Sequence, residues 1–378
     1  MSVAGRTIHR LIIVRAALLL LLFAPCAAPA RADQRFAQIE REMKQLVETN
    51  QLPSIAVAVA RDGHTIWEAA FGWADRERRI PATPRTMYSL ASISKPFTAT
   101  AVMKLVEAGR VALDGAANDY LGEAHISGEH SGRATVRHVL THTAGLPPYF
   151  RTRPAMDAWT FDATITSRAI ISRPPGRRYV YSNLGYGILD HIVEQVSGVS
   201  YEEFLRREVL DPLGLTRTSV PSTAPADAAV RYAEDGTPLP FYDLDHRGAS
   251  SVYASARDLV RFGMSHLDQG PAGKSHGAAG RVLEAGTLRE MQRVQTWIKN
   301  GEGYGLGWRI DDDQRGFRQV GHTGGMPGVT TVLSLFPTHR VVVVVLVNAR
   351  DDRVVPLAQR VAAQVVPAYA WHLRRGRE

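Results

Sequence analysis

Cysteine is nearly absent from this 378-residue chain, where Cys26 stands alone. One thiol cannot close an intrachain disulfide or build a thiolate metal site. The chain also lacks an H-E-x-x-H pattern, so the sequence implies no metal and no cofactor. Long apolar runs are missing. Ala16 to Ala24 is bounded by Arg15 and Pro25, and Val341 to Val345 is shorter still, against the ~20 residues of a membrane span. Acid is missing from residues 1–32, which carry Arg6, Arg10, Arg15 and Arg31 and so hold four of the net charges of +8. Arg374, Arg375 and Arg377 against Glu378 add two more, which leaves the body at about +2. No basic stripe interleaved with aromatics is present, which argues against a nucleic-acid partner.

What is there reads as an ordinary globular protein. Apolar content of 45% and charged content of 22% are ordinary for a folded protein. Arg6 and Arg10 precede the apolar stretch, and Ala30-Arg31-Ala32 follows it as an A-x-A site. Together these three parts form an export signal over residues 1–32. Cleavage after Ala32 would remove Cys26, leave no stable membrane anchor, and place the protein in the periplasm or outside the cell.

The pattern predicts a helix from Phe36 to Thr49, then a hairpin of Ser54–Ala60 and Thr65–Gly72 across the turn Asp62-Gly63. Residues 86–110 read as one helix with Ala99, Val102, Met103, Leu105 and Val106 on its apolar face. Residues 135–215 are mainly helical by spacing, 216–248 irregular, and Ala256–Leu267 helical. Four strands are expected late in the chain: Gly305–Ile310, Phe317–His322, Val329–Phe336 and Val341–Val347. A helix over Val354–Ala368 follows. The implied fold is α/β (α+β): one antiparallel sheet built from N- and C-terminal segments, flanked by helices, with an inserted mainly helical part. A single domain over 33–378 would divide into a sheet part (about 36–85 and 250–370) and a helical part (86–249).

Three short motifs carry chemistry. In Ser92-Ile93-Ser94-Lys95 a serine and a lysine three apart share a helix face. The serine is a weak nucleophile until a neighbour takes its proton, and Lys95 is that neighbour if burial makes its amine neutral. In Tyr181-Ser182-Asn183, just before a helix beginning near Leu184, Tyr181 offers a phenol as a base. Asn183 both donates and accepts, which suits a substrate amide, and it also suits the cap of that helix. His322-Thr323-Gly324-Gly325 ends a strand where glycines admit close backbone approach. The amides of Ser92 and Gly325 would then form an oxyanion hole, worth on the order of 3–4 kcal/mol per donor.

In order and separation these motifs resemble the serine β-lactamase and penicillin-binding protein superfamily, in its class C-like branch. That branch includes class C β-lactamases, D-Ala-D-Ala carboxypeptidases, D-aminopeptidases and related carboxylesterases. Leu140–Pro147, Pro174-Pro175-Gly176, Asp211–Leu215, Tyr253–Leu259 and Tyr304–Trp308 are similar as well, so the likeness runs from about residue 37 to 365. It implies Ser92 as nucleophile, Lys95 as proton relay, Tyr181 as general base, and Asn183, His322, Thr323 and Gly324 as substrate-binding positions. His322 stands where most β-lactamases of the family have lysine, and histidine is only partly charged near neutrality. The implied substrate is a small molecule or peptide: a cell-wall peptide, a β-lactam, or a short-chain ester. A non-catalytic binding protein of the same fold is the remaining alternative.

Gly273-Lys274-Ser275-His276-Gly277 fits the G-x-S-x-G elbow, but no apolar strand precedes it, so Ser275 is set aside as a nucleophile. His142 reads as structural, closing a helix near the site. His322, Asn348 and Arg350 are candidates by position to anchor a substrate carboxylate.

Overall fold

The computed structural model describes residues 34–149, 160–267, 280–299, 301–313, 317–367 and 369. The expected export signal, Cys26 and the Gly273–Gly277 stretch lie outside the described residues. Helix α1 (Ala37–Glu48) leads into strands β1 (Ser54–Arg61) and β2 (His64–Asp75), and then the short β3 (Ile80–Pro81). Helices α2 (Ser94–Glu107), α3 (Asn183–Ser197) and α4 (Ala256–Ser265) belong to the middle of the chain. Strands β4 (Thr296–Lys299), β5 (Glu302–Tyr304), β6 (Arg309–Asp313), β7 (Phe317–Met326), β8 (Val329–Phe336) and β9 (Val341–Val347) follow, closed by α5 (Val354–Val365).

These strands form one antiparallel nine-stranded sheet in the order β3-β2-β1-β9-β8-β7-β6-β5-β4. The N-terminal hairpin joins the C-terminal strands through β1 and β9, with Ile55 opposite Val347 and Arg61 opposite Val341. The all-valine opening of β9 is explained by burial on both faces, since alternate residues point to opposite sides of a strand. Val341, Val343, Val345 and Val347 pack with Ile55, Val57 and Val59 under α1 and α5. Val342, Val344 and Leu346 pack with Ala56, Ala58 and Ala60 beneath α2 and α4. The alanines of β1 keep that second face thin, so α4 comes close. A methyl on its Gly263 would meet Val342 at 2.5 Å. Each buried valine, leucine or phenylalanine contributes roughly 1.5–3 kcal/mol by removal from water.

The antiparallel sheet assembled from the two ends of the chain is as expected, and β8 and β9 match their expected limits. Three elements differ. The strand expected over Phe317–His322 runs on to Met326, because Thr323 to Met326 still pair with β8, so His322-Thr323-Gly324-Gly325 lies within a strand rather than at its end. Gly305–Ile310 is not one strand, because Gly305 to Trp308 is the turn between β5 and β6, closed by Gly305 N–H donating to Trp308 O at 2.8 Å. Gly307 there has φ +85°, which an extended strand cannot hold. Residues 86–110 are not one helix either. Met87–Ser89 is a short strand paired with Tyr253–Ser255, and a 3₁₀ turn at Ala91–Ile93 precedes α2.

Candidate active site

Ser92 lies in the 3₁₀ turn Ala91–Ile93, two residues before α2 begins rather than in its first helical turn. Ala91 has φ 47°, a left-handed conformation uncommon for a residue with a side chain. The turn is held from two sides. Leu90 N–H donates to Val252 O at 2.9 Å. Leu90 O accepts from Thr331 Oγ1 of β8 at 3.0 Å. Ser94, the residue between Ser92 and Lys95 that faces inward, accepts from Val252 N–H at 2.9 Å.

Lys95 is fully buried. Its Nζ donates to Asn183 Oδ1 at 2.8 Å and to Ala249 O at 3.0 Å. It also lies 4.6 Å from the centre of the Tyr181 ring. Burial, and then the charge of Arg309, depress its pKa well below the usual lysine value. A neutral amine placed this way donates two N–H groups and keeps a lone pair free to accept a proton.

Tyr181 lies half-buried beside Lys95 and the nucleophile turn. Burial pushes its phenol up to about 12, while the Ser92 hydroxyl and the Arg309 charge pull the other way. The phenol is therefore protonated at rest, beside a lysine whose neutral form burial favours. Neutral Lys95 with phenol, and ammonium with phenolate, contain the same protons, so the two residues titrate as a pair.

The segment bearing Tyr181 is positioned from outside. Ser182, and not Asn183, caps α3: its Oγ accepts from Gly185 N–H at 3.1 Å and donates to Pro147 O at 2.7 Å. Asn183 is the first residue of α3, with both ends of its amide engaged. Its Oδ1 accepts from Lys95, and its Nδ2 donates to Tyr149 O at 2.8 Å.

Strand β7 supplies the opposite wall. It pairs with β6 only up to Gly321 and with β8 through Met326. Beyond Gly321 no described strand covers its outer edge. Gly324 lies against the nucleophile turn, where a methyl would meet Leu90 O at 2.1 Å and Thr331 Oγ1 at 2.2 Å. Gly325 follows, exposed, with Arg350 laid across it: a methyl there would meet Arg350 Nη1 at 2.0 Å. His322 is buried. Its Nδ1 lies 2.7 Å from Thr323 O, a carbonyl that can only accept, so the proton is on Nδ1. Nε2 then accepts from Tyr304 Oη at 3.2 Å. Burial, followed by Lys95 and Arg309, drives its pKa well below the ordinary histidine value, so His322 is neutral at pH 7. Thr323 is exposed and, with Arg309, Val355, Ala358 and Tyr369, lines a cavity of about 300 Å³ between the sheet and α5 that Ser92, Lys95 and Tyr181 do not line.

Of the three positions expected to anchor a carboxylate, His322 is therefore neutral. Asn348 is buried and engaged: it accepts from Ser54 Oγ at 2.8 Å and donates to Val230 O at 2.8 Å. Arg350 is exposed beside Gly325 and carries charge. The sequence did not single out Arg309, whose charge is felt by Lys95, Tyr181, His142 and His322. Nor did it single out Tyr149, which holds Asn183, and it gave no role to Tyr304, which heads a quoted stretch and holds His322. Arg309 and Tyr149 fall just beyond the quoted stretches, where no spacing rule marks them. Among the described residues no cluster of three His, Cys, Asp or Glu side chains is placed to hold a metal.

The family model described as Beta-lactamase matches residues 39–366. Penicillin-binding protein 4 of Amycolatopsis lactamdurans is 31% identical over 320 residues, covering 79% of this chain and 81% of that protein. Among solved structures, a class C β-lactamase superposes with a TM-score of 0.74 at 21% identity, over 89% of this chain and 98% of the other. EstCE1, a hydrolase with promiscuous acyltransferase activity, superposes with a TM-score of 0.73 at 22% identity, over 89% and 100%.

Proposed function

From its membership of the Beta-lactamase family of serine hydrolases, to which this chain belongs, we propose that the protein cleaves an amide, β-lactam or ester carbonyl through an acyl-enzyme on Ser92. The observation that carries this reading is the fully buried Lys95, three residues after Ser92, with its Nζ 4.6 Å from the centre of the Tyr181 ring and held by Asn183 Oδ1 at 2.8 Å. Ser92 Oγ attacks the carbonyl carbon. Its proton passes to the Lys95–Tyr181 pair, which returns it to the leaving group. The backbone amides of Ser92 and Gly325 hold the oxyanion. Water then attacks the acyl-enzyme, the same pair takes its proton and passes it to Ser92 Oγ as the acyl bond to that oxygen breaks, and the product acid departs. Asn183 keeps Lys95 in place and can exchange that bond for a substrate amide.

The first substrate class is a peptide ending in D-alanine or the β-lactam that mimics it. The exposed Arg350, beside Gly325, favours it as a partner for an acidic group. A short-chain ester is the second reading, favoured by the neutrality of His322 at the position where most β-lactamases of the family place a lysine cation. Export with removal of residues 1–32 belongs to the same proposal, and the N-terminal sequence of protein recovered outside the cytoplasm tests it.

Intact-mass spectrometry of residues 33–378 with a penicillin, from seconds to hours and with Ser92→Ala alongside, tests the acyl-enzyme. A Ser92-dependent adduct is expected, and its lifetime separates a peptidase from a β-lactamase. No adduct with penicillin, but rapid Ser92-dependent turnover of 4-nitrophenyl acetate, would select the ester reading. Turnover surviving in Ser92→Ala would overturn both.

A further inference from the structure

We propose that His142 is the positioning residue for Tyr181, gripping the backbone on both sides of it from a single left-handed residue. The inference rests on the reading of Tyr181 as part of the proton relay. His142 lies in the turn after the short helix Val136–Leu140, and its N–H closes that turn on Val139 O at 3.2 Å. Its carbonyl accepts from Val180 N–H at 2.8 Å. Its ring Nδ1 accepts from Ser182 N–H at 3.1 Å. One residue thus ties down the residue before Tyr181 and the residue after it. Thr143 O extends the grip by accepting from Gly176 N–H at 2.8 Å.

Two further features mark the arrangement as specific. His142 has φ 58°, a conformation that side-chain-bearing residues adopt uncommonly and that asparagine and histidine tolerate best. Its ring also lies 4.4 Å from the Tyr181 ring, centre to centre, so it sets the position of the phenol as well as that of the backbone.

The chemistry of the ring follows from its partner. An amide N–H can only donate, so Nδ1 must be the unprotonated nitrogen and Nε2 carries the hydrogen. Protonating His142 would put a second hydrogen where Ser182 N–H already points, and the clamp would open. Three cationic or potentially cationic groups face it: Lys95 of α2, Arg309 of β6 and His322 of β7. The rings of Tyr179, Tyr181, Tyr186 and Tyr304 surround it, with centres 5.6, 4.4, 5.1 and 4.9 Å away. Burial and those three groups keep the ring neutral well below the usual histidine range, so the clamp stays closed at neutral pH and opens only in acid.

Asparagine is the informative substitution, because its side-chain oxygen can accept where Nδ1 does, it tolerates the left-handed backbone, and it does not titrate. The test uses the full mature chain, with 4-nitrophenyl acetate turnover and the rate of Ser92 labelling by a fluorophosphonate as readouts. Thermal melting checks each variant for folding. His142→Asn is expected to keep kcat within about threefold of the parent. His142→Ala is expected to lower kcat roughly 10–100-fold with KM little changed. The parent acid limb should include an ionisation below pH 6.5 that is missing from the His142→Asn profile. A folded His142→Ala with kcat within twofold of the parent would overturn the proposal. So would His142→Asn as impaired as His142→Ala, since the imidazole itself would then be required, and so would superimposable pH profiles. Should His142→Ala fail to fold, the asparagine variant and its profile still decide. Tyr181→Phe in the same assay keeps the two readings apart: full activity there removes Tyr181 from the relay whatever His142 does.

Discussion

At the scale of single residues, the site is organised around where charge is absent. His322 is neutral and Lys95 tends to neutrality, because both are buried among other cations, and burial disfavours the charged form of any base. The lasting positive charge near the phenol is Arg309, which acts on Tyr181 and Lys95 in the same direction, making each easier to deprotonate. Arg309→Met should therefore move the acid limb of the pH–rate profile for a neutral ester to higher pH. One unit of movement lowers the rate on that limb roughly tenfold. A profile that stays put, with only the KM of an acidic substrate rising, would limit Arg309 to substrate binding. Tyr181→Phe should cost on the order of 10²–10⁴-fold in kcat, the usual range for a lost acid–base group. Single-turnover kinetics would show whether the loss falls on acylation.

Elements decide how these residues meet. The nucleophile turn and β7 touch at Gly324, and Gly324→Ala would drive a methyl into the backbone oxygen of Leu90, which cannot rotate away as a side chain could. Such overpacking typically costs 1–3 kcal/mol. Because the displaced atom belongs to the residue two before Ser92, kcat should fall by at least tenfold while the fold survives. Urea unfolding beside ester turnover would check both halves, and unchanged turnover would show that the contact is not tight in solution. The cap of α3 shows where local reading stopped. Ser182 and Asn183 are both good cap residues, so the local pattern could not choose between them. Burial chose, since Asn183 is needed against Lys95 and Ser182 against Pro147. The turn at Gly305–Trp308 was misread for a related reason. Apolar Leu306, Trp308 and Ile310 alternate as a strand does, yet Leu306 and Trp308 are buried from a turn. By contrast β8 and β9 could be read to the residue, because two long apolar runs are separated by the plain turn signal Thr338-His339-Arg340.

For the whole molecule, buried titrating groups make stability depend on pH in two opposed ways. His266 is buried, and its pKa falls to about 4, chiefly through burial. Above pH 6.5 neither folded nor unfolded chain protonates it. As pH falls from 6.5 toward 4 the unfolded chain gains a proton that the native state refuses, and about 3 kcal/mol is lost. His266→Gln should flatten the fall of the urea-unfolding free energy between pH 7 and 4.5, and equal slopes would count against the assignment. Asp190 acts in the other direction. Burial raises its carboxyl well above the usual value despite the Gly248 N–H it accepts, so its contribution is full at acid pH and is lost as pH rises through the native pKa. Asp190→Asn keeps an acceptor for Gly248 and should raise the Tm at pH 8 more than at pH 4.

The sequence by itself determined the sheet from two distant ends, which follows from periodicity and turn chemistry along the chain, both local properties. It marked Ser92, Lys95, Tyr181 and Gly324 as candidates through the order of three motifs and their resemblance to a known family. Only the tertiary structure decided protonation and hold: the neutrality of His322, the withdrawal of Asn348 into the scaffold, the arrival of Arg309, and the grip of His142 on both flanks of Tyr181. Those depend on desolvation and on groups brought together from across the chain, and neither is present until the chain has packed.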